Sequence, residues 1–366
     1  VKLECTRKEF AEALGLAASA SSNRTALPIL QTIKLEASGT TVRLLGCDGD
    51  MWAERTILAN VEAEGAVCIQ TRVLQQLVGM MPDGPLRLSQ EGTSVRMTSA
   101  GSDYKLMALP ADDFPEPPEI SGASELTLTM SQFRESVDSV AFAVADDNSR
   151  PVLTGVLFSY DGSVLTLVAT DYHRLAVRRI EQNGIGSNVS AIVPEKALKA
   201  IKALPIADGE SVTVQFDENR LGVDAGSAKV VSQLLNGAFP NWERVVPGEH
   251  TRTWTVQRDE MIENISRALV LASDNANRVK FAGHGDQVVI SARSEEKGEA
   301  KEEVAIIGQN GDIEIAFNGR YIVDALKAMK GDGIRAEMTE SIRPAVFRPV
   351  DEDIDQFCVI MPMALN

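Results

Sequence analysis

The feature that most limits what this 366-residue chain can fold into is that it repeats itself three times. Segments of helical spacing, RKEFAEALGLAASA, MSQFRESVDSVAFAV and QRDEMIENISRALVLAS, put Phe10, Phe133 and Met261 at one equivalent position, at offsets of 123 (133 − 10) and 128 (261 − 133). Each is followed by an extended apolar stretch, ending at Leu30, Leu153 and Phe281, again 123 and 128 apart. Alternating runs come next, IKLEASGTTVRLLGCD, VLFSYDGSVLTLVATD and VKFAGHGDQVVISAR, with turn-forming residues between them as in a hairpin. A second amphipathic segment then recurs as TRVLQQLVGMM, PEKALKAIKAL and NGRYIVDALKAM, where Arg72, Lys196 and Arg320 are 124 (196 − 72) and 124 (320 − 196) apart.

Each unit reads as β-α-β-β-β written twice, an α+β domain with antiparallel sheets backed by two helices. The polar, Pro/Gly-bearing stretches PEPPEISGASE and VVPGEHTRT place the boundaries, giving domains over 1–121, 122–249 and 250–366. Three domains also suit the length, because single cores of roughly 100 to 200 residues are usual.

With 44% apolar and 24% charged residues the chain has the balance of a globular protein, and it contains no apolar run of membrane-spanning length. The N-terminal segment is broken by charges, unlike a signal peptide. Cys5, Cys47, Cys68 and Cys358 show no metal-ligand spacing, so buried reduced thiols are expected, with no metal and no cofactor.

The net charge of −16 argues against nucleic acid unless positive charge is gathered locally. Over the helical segments 7–19, 71–81, 131–142, 195–204, 257–272 and 319–330 there are 12 Lys/Arg against 9 Asp/Glu, leaving −19 (−16 − 3) elsewhere. In the fourth segment Lys196, Lys199 and Lys202 share one face while Ala197, Leu198, Ile201 and Leu204 form the other. Arg320, Lys327 and Lys330 repeat this in the sixth. Such lysines are either an ordinary solvated face or weak, sequence-independent contacts to a duplex. No helix-turn-helix, zinc finger or stacking platform accompanies them, and aromatics are only 5%.

RTALPIL, ATDYHRLAV, FPNWERVVP and the terminal VIMPMALN, together with the repeat, are similar to the bacterial DNA polymerase III β subunit, the β sliding clamp family, over essentially the whole chain. The resemblance implies a DNA clamp fold and a non-catalytic processivity factor. It also implies a head-to-tail homodimer that closes a six-domain ring on double-stranded DNA without sequence preference, in the bacterial cytoplasm at the nucleoid. Partners implied are the polymerase III catalytic subunit, an ATP-driven clamp loader and other proteins bearing a clamp-binding peptide, with no membrane.

The family's peptide pocket lies between the second and third domains. Matched segment by segment, it falls on Leu153, Thr170, His173, Arg174, Leu175, Pro240, Arg244, Val245, Ile342, Pro344, Val359, Met361, Pro362 and Met363. Apolar walls with a flexible Met suit leucine or phenylalanine anchors. Towards DNA the resemblance places Arg24, Arg72 and Lys196, joined by Lys199, Lys202, Arg320 and Lys327. Ring closure is expected to set Tyr104 and Leu106 of the first domain against Val270 and Leu271 in the third domain of the other chain. The acidic run Glu295, Glu296, Glu299, Glu302 and Glu303 resembles the acidic side of that interface, and its basic complement is thin, with Asp103 near Lys105 and Arg96. The chain departs from the family at its Ala364-Leu365-Asn366 end and in the acidic loop DDNSRPV.

Two other readings stand beside this one. Asp171 and His173 form an acid/base pair on the sequence, which an interdomain-cleft hydrolase could use. Alternatively, the acidic balance suits a repeat scaffold that never meets DNA.

Overall fold

The computed structural model describes residues 1–22, 25–121, 124–273, 275–310 and 312–365, and of Gln309 the backbone alone. In the first repeat, β1 (Lys2–Thr6) and α1 (Arg7–Ser19) lead to β2 (Thr32–Ser38), β3 (Thr41–Cys47), β4 (Met51–Leu58) and β5 (Asn60–Ala63). Its second half is β6 (Gly65–Gln70), α2 (Thr71–Met80), β7 (Pro85–Glu91), β8 (Ser94–Ser99) and β9 (Ser102–Leu109). The second repeat runs β10 (Ser124–Thr129), α3 (Met130–Asp138), β11 (Gly155–Tyr160), β12 (Val164–Thr170) and β13 (Arg174–Glu181). It continues with β14 (Val189–Pro194), α4 (Glu195–Lys202), β15 (Ser211–Phe216), β16 (Arg220–Asp224) and β17 (Ala228–Gln233). The third runs β18 (Arg252–Gln257), α5 (Arg258–Ala272), β19 (Arg278–His284), β20 (Gln287–Ser294), β21 (Gly298–Ala305) and β22 (Ile307–Gln309). It ends with β23 (Ile313–Asn318), α6 (Gly319–Ala328), β24 (Gly333–Met338), β25 (Ala345–Pro349) and β26 (Gln356–Ile360). Among the described residues the β-α-β-β-β half is thus present six times, and of the strands only the short β5 and β22 lie outside the pattern.

Within each repeat the halves exchange their first strands. β1 pairs with β7 and β6 with β2; likewise β10 lies beside β15, β14 beside β11, β18 beside β24 and β23 beside β19. Neither half can therefore complete its sheet alone. Two further ladders join strands of different repeats, β4 with β17 and β13 with β26, producing sheets of 13, 9 and 4 strands.

The chain gathers into two compact units, Val1–Phe133 with Ile185–Ser187 and Val193–Leu234, and Arg134–Gly184 with Asn188–Ile192 and Leu235–Asn366. The first contains the 13-stranded sheet, with Phe10, Leu14, Leu35 and Leu74 fully buried beneath it. In the second, Met261, Ile265, Phe281, Phe317 and Leu326 fill the corresponding place, and Phe317 meets Phe281 and Phe347 edge-on at 6.0 Å. No helix among the described residues is long and apolar enough to cross a membrane.

Local chemistry starts the helices where the pattern predicts. Thr6 caps α1: its hydroxyl accepts the Glu9 N–H at 3.2 Å and donates to the Glu9 carboxylate at 2.6 Å. Asn318 caps α6 by accepting the Arg320 N–H at 3.0 Å. Gly46 lets α1 lie directly on β3, since a Cβ there would sit 1.9 Å from the Ala17 carbonyl oxygen. Phe10, Phe133 and Met261 are all buried, as equivalent core positions should be.

Two expectations need correction. The third helix stops at Asp138 instead of 142, because the chain tightens into a 3₁₀ turn over Ala141–Ala143. Phe281 is not the counterpart of Leu30 and Leu153, which sit in 3₁₀ turns ahead of β2 and β11. Among the described residues no such turn lies between α5 and β19, and Phe281 lies inside the strand, equivalent to Phe158 and Leu35 at offsets of 123 (281 − 158) and 123 (158 − 35).

Candidate functional site

The segment ATDYHRLAV forms a tight turn between β12 and β13. Asp171 Oδ1 accepts the backbone N–H groups of His173 and Arg174, each at 2.9 Å, while Oδ2 accepts Arg174 Nε at 3.1 Å. This Asx-type turn holds Tyr172 at φ 72°, in the left-handed region, and leaves the residue 47% exposed. Arg174 turns inward, donating to Asp324 at 2.7 Å and packing its guanidinium 4.4 Å from the Tyr321 ring centroid. Burial pulls the Arg174 pKa down, but the Asp324 hydrogen bond and the two carboxylate charges outweigh it and the net shift is upward. The cation is therefore a fixed structural charge.

The C-terminal strand supplies the other wall. β26 runs antiparallel to β13, with Leu175 opposite Val359, and the Met361 N–H donates to the His173 carbonyl at 2.9 Å. Beside them FPNWERV turns through a 3₁₀ helix, Trp242–Val245. Together these segments enclose a small cavity of about 60 Å³. Leu175, Val245, Val359 and Met361 give it apolar walls, Thr170, Arg174 and Pro240 complete its sequence-predicted lining, and Tyr172, Asn241 and Trp242 add lining that the motifs alone do not single out. Trp242 falls within a family motif, whereas nothing in composition marks a tyrosine held at positive φ. On the rim, Arg150 lies 4.3 Å from the Tyr172 ring centroid.

The remaining expected pocket residues lie outside this lining. Leu153 is buried in its 3₁₀ turn, and His173 stacks on Tyr321 with centroids 6.2 Å apart. Arg244 and Ile342 are exposed, Pro344, Pro362 and Met363 are half-buried, and Met363 bonds back to the Ala316 carbonyl at 2.7 Å. The Asp171/His173 acid/base reading is not supported by this geometry. Asp171 spends its carboxylate on backbone N–H groups and Arg174, and the His173 ring packs on an aromatic instead of on that carboxylate.

On the helices, Lys196 is ion-paired with Asp48, and Lys199 with Glu195 at 2.8 Å. Lys202 is half-buried, and Lys330 reaches Glu135 at 2.7 Å. Arg72, Arg320 and Lys327 are exposed and make no ion pair among the described residues. Arg24 lies outside the described residues. The cationic face is therefore most available at Arg72, Arg320 and Lys327.

Of the strands that end a half-domain, two have an open edge among the described residues. β9 pairs fully with β8 but touches β6 only through Ala108 and Leu109, leaving 102–107 unpaired on that side. β21 pairs with β20 alone. Leu106 is 8% exposed and Tyr104 half-buried, both packed into their own domain core, whereas Met107, Met80 and Val270 are 74%, 77% and 68% exposed. Leu271 is half-buried. Glu299 lies 3.4 Å from Arg293, Glu302 pairs with Arg267 at 2.9 Å, and Glu303 with Lys301 at 2.9 Å. The four cysteines are free and buried, and burial pushes Cys5 and Cys358 up to about 12 and Cys47 and Cys68 up to about 11.

Comparison with known proteins agrees over the full length. Family models described as the N-terminal, central and C-terminal domains of the DNA polymerase III beta subunit match residues 1–118, 127–241 and 243–364. The chain is 31% identical over 358 residues to the beta sliding clamp of Staphylococcus aureus, covering 95% of each protein. Its fold is similar to the DNA polymerase sliding clamp from Bacillus subtilis, with TM-score 0.90, 26% identity, and 100% and 99% of the two chains covered. It is equally similar to the beta subunit from Thermotoga maritima, with TM-score 0.90, 26% identity and 100% of both chains covered.

Proposed function

The chain belongs to the DNA polymerase III β-subunit family, the non-catalytic sliding clamps of replication, and on that premise we propose that two copies close head to tail into a ring around duplex DNA. The ring tethers the polymerase catalytic subunit, the clamp loader and other motif-bearing proteins through the Leu175–Val359–Met361 cavity. A closed ring keeps its place by topology, so it needs only sparse phosphate contacts, and an acidic chain can do this work.

What supports ring closure is the recurrence of one joint. In the β4–β17 ladder Met51 faces Ser232, and in the β13–β26 ladder Arg174 faces Ile360. The offsets, 123 (174 − 51) and 128 (360 − 232), are those of the repeat itself. Each joint thus pairs the last strand of one half-domain with the last strand of a half-domain in the next repeat. Two such strands have no counterpart among the described residues of the chain: β21, ending the first half of the third repeat, and β9, ending the second half of the first. A second copy supplies the missing partner for each, and two copies satisfy both edges of both chains.

Apolar walls with Met361 and Trp242 fit leucine or aromatic anchors of a short linear peptide, and Asn241 offers a polar group to orient its backbone. The deciding experiment loads the protein onto nicked circular DNA and then linearises it. Long retention on the circle with rapid loss from the line is expected, and equal loss from both would overturn the tether.

A further inference from the structure

The two joints inside the chain fix a register for the third. Hairpin ladders relate β21 to β13, since Thr170 faces Leu175 as Arg293 faces Glu299, and β9 to β17, since Ser94 faces Met107 as Arg220 faces Gln233. Carried over, Trp52 opposite Val231 becomes Glu299 opposite Lys105, and Glu54 opposite Lys229 becomes Lys301 opposite Asp103. Side-chain direction agrees: Glu299, Lys301, Asp103 and Lys105 are all exposed, while Ala300 and Tyr104 between them are half-buried.

We propose that β9 of one copy and β21 of a second copy join in this register, with Lys105 against Glu299 and Asp103 against Lys301, and that this charge order selects the partner strand. The inference rests on the ring reading above. A shift of one residue would set exposed side chains against buried ones. Shifts of two set like charges together in both directions. One puts Lys301 on Lys105 and Glu303 on Asp103; the other puts Glu299 on Asp103 and Lys297 on Lys105. Only the derived register makes both pairs opposite in sign, and like charges directly across a ladder are repulsive. Across the outer face the order then runs Arg96, Lys105, Glu299 and Arg293, so the joint sets the acid Glu299 between two bases, with Arg96 facing Lys105 and Arg293 facing Glu299 within their own hairpins. The partner is thus a strand carrying acid and base in the order of Glu299 and Lys301, which a second copy of this chain supplies.

Two full-length variants, Asp103→Lys and Lys301→Asp, test this by sedimentation equilibrium, alone and mixed. Each alone places like charges at both joints of a ring, weakening association by about tenfold per joint and so about a hundredfold overall. Mixed in equal amounts they form a ring whose joints are both complementary: the introduced lysine of one copy meets the introduced aspartate of the other at one joint, and the native pair forms at the second. The expected result is two weakly associating proteins whose mixture recovers wild-type affinity within about threefold. If the wild type dimerises while both variants dimerise equally well, or the mixture is no tighter than its parts, the register is wrong and the ring reading stands. A wild type that is monomeric at micromolar concentration overturns both.

Discussion

Lys229 stands directly opposite Glu54 in the ladder that joins the second repeat to the first. Glu54 is at the same time held by Arg43, so the lysine adds charge balance to a carboxylate already anchored in its own sheet. Lys229→Glu sets two carboxylates across the ladder and should cost about 0.5 to 1 kcal/mol in urea unfolding. An unchanged midpoint would show that this joint owes nothing to its charges.

Removing the flexible side chain from the cavity separates binding from folding. Met361 is half-buried at the strand end, with its backbone held by the His173 carbonyl, so Met361→Ala should leave unfolding within about 0.5 kcal/mol of wild type. It should weaken a fluorescent peptide bearing leucine and phenylalanine anchors by about tenfold, read by anisotropy. Unaltered peptide affinity would remove this cavity from partner binding.

Acid sensitivity should be concentrated around Glu116. Its carboxylate accepts from Lys34 and, at 2.7 Å, from Arg43. Burial pushes its pKa up, but these bonds outweigh that and hold it below the usual carboxylate range. A depressed folded pKa means that the stabilisation is fully present above the unfolded value, about 4.3, and is lost as pH falls through the folded one. Glu116→Gln should therefore lower Tm at pH 7 and converge with wild type as the pH drops below about 4. A gap that does not change with pH would assign the effect to packing.

DNA contact should be carried by the cations that no carboxylate occupies. Replacing Arg72, Arg320 and Lys327 with Ala should weaken binding to unrelated duplexes equally, and should flatten the slope of log K against log salt by about 0.9 for each phosphate left without its cation. The same change at Lys196, already paired with Asp48, should do less. A larger effect at Lys196 would reverse this assignment.

The repeat, the helices and the hairpins were legible because burial leaves a periodic trace: Phe10, Phe133 and Met261 are apolar at a fixed spacing since each plugs the same core position. Strand exchange between half-domains left no such trace, since β1 beside β7 is a long-range choice that no local window contains. At the cavity, Thr170, Leu175, Val359 and Met361 were recognisable through motifs, whereas Tyr172 depends on a backbone angle set by hydrogen bonds to Asp171 and Thr170 in the turn around it. At the strand edges, Tyr104 and Leu106 read as contact residues but serve their own core, and the outward positions are the alternate ones, Asp103, Lys105 and Met107.

The two internal ladders, β4 with β17 and β13 with β26, tie strands that the polypeptide already keeps near one another. Their effective concentration is set by chain length and does not change on dilution, whereas a joint of the same kind between separate copies has only the bulk concentration behind it. In the proposed ring, a third ladder of the same kind would therefore be the first to open. On dilution, the proposed joint between copies would separate first while the two ladders within each chain persist, so a ring built this way would have a single kind of gate without any sequence having to weaken it.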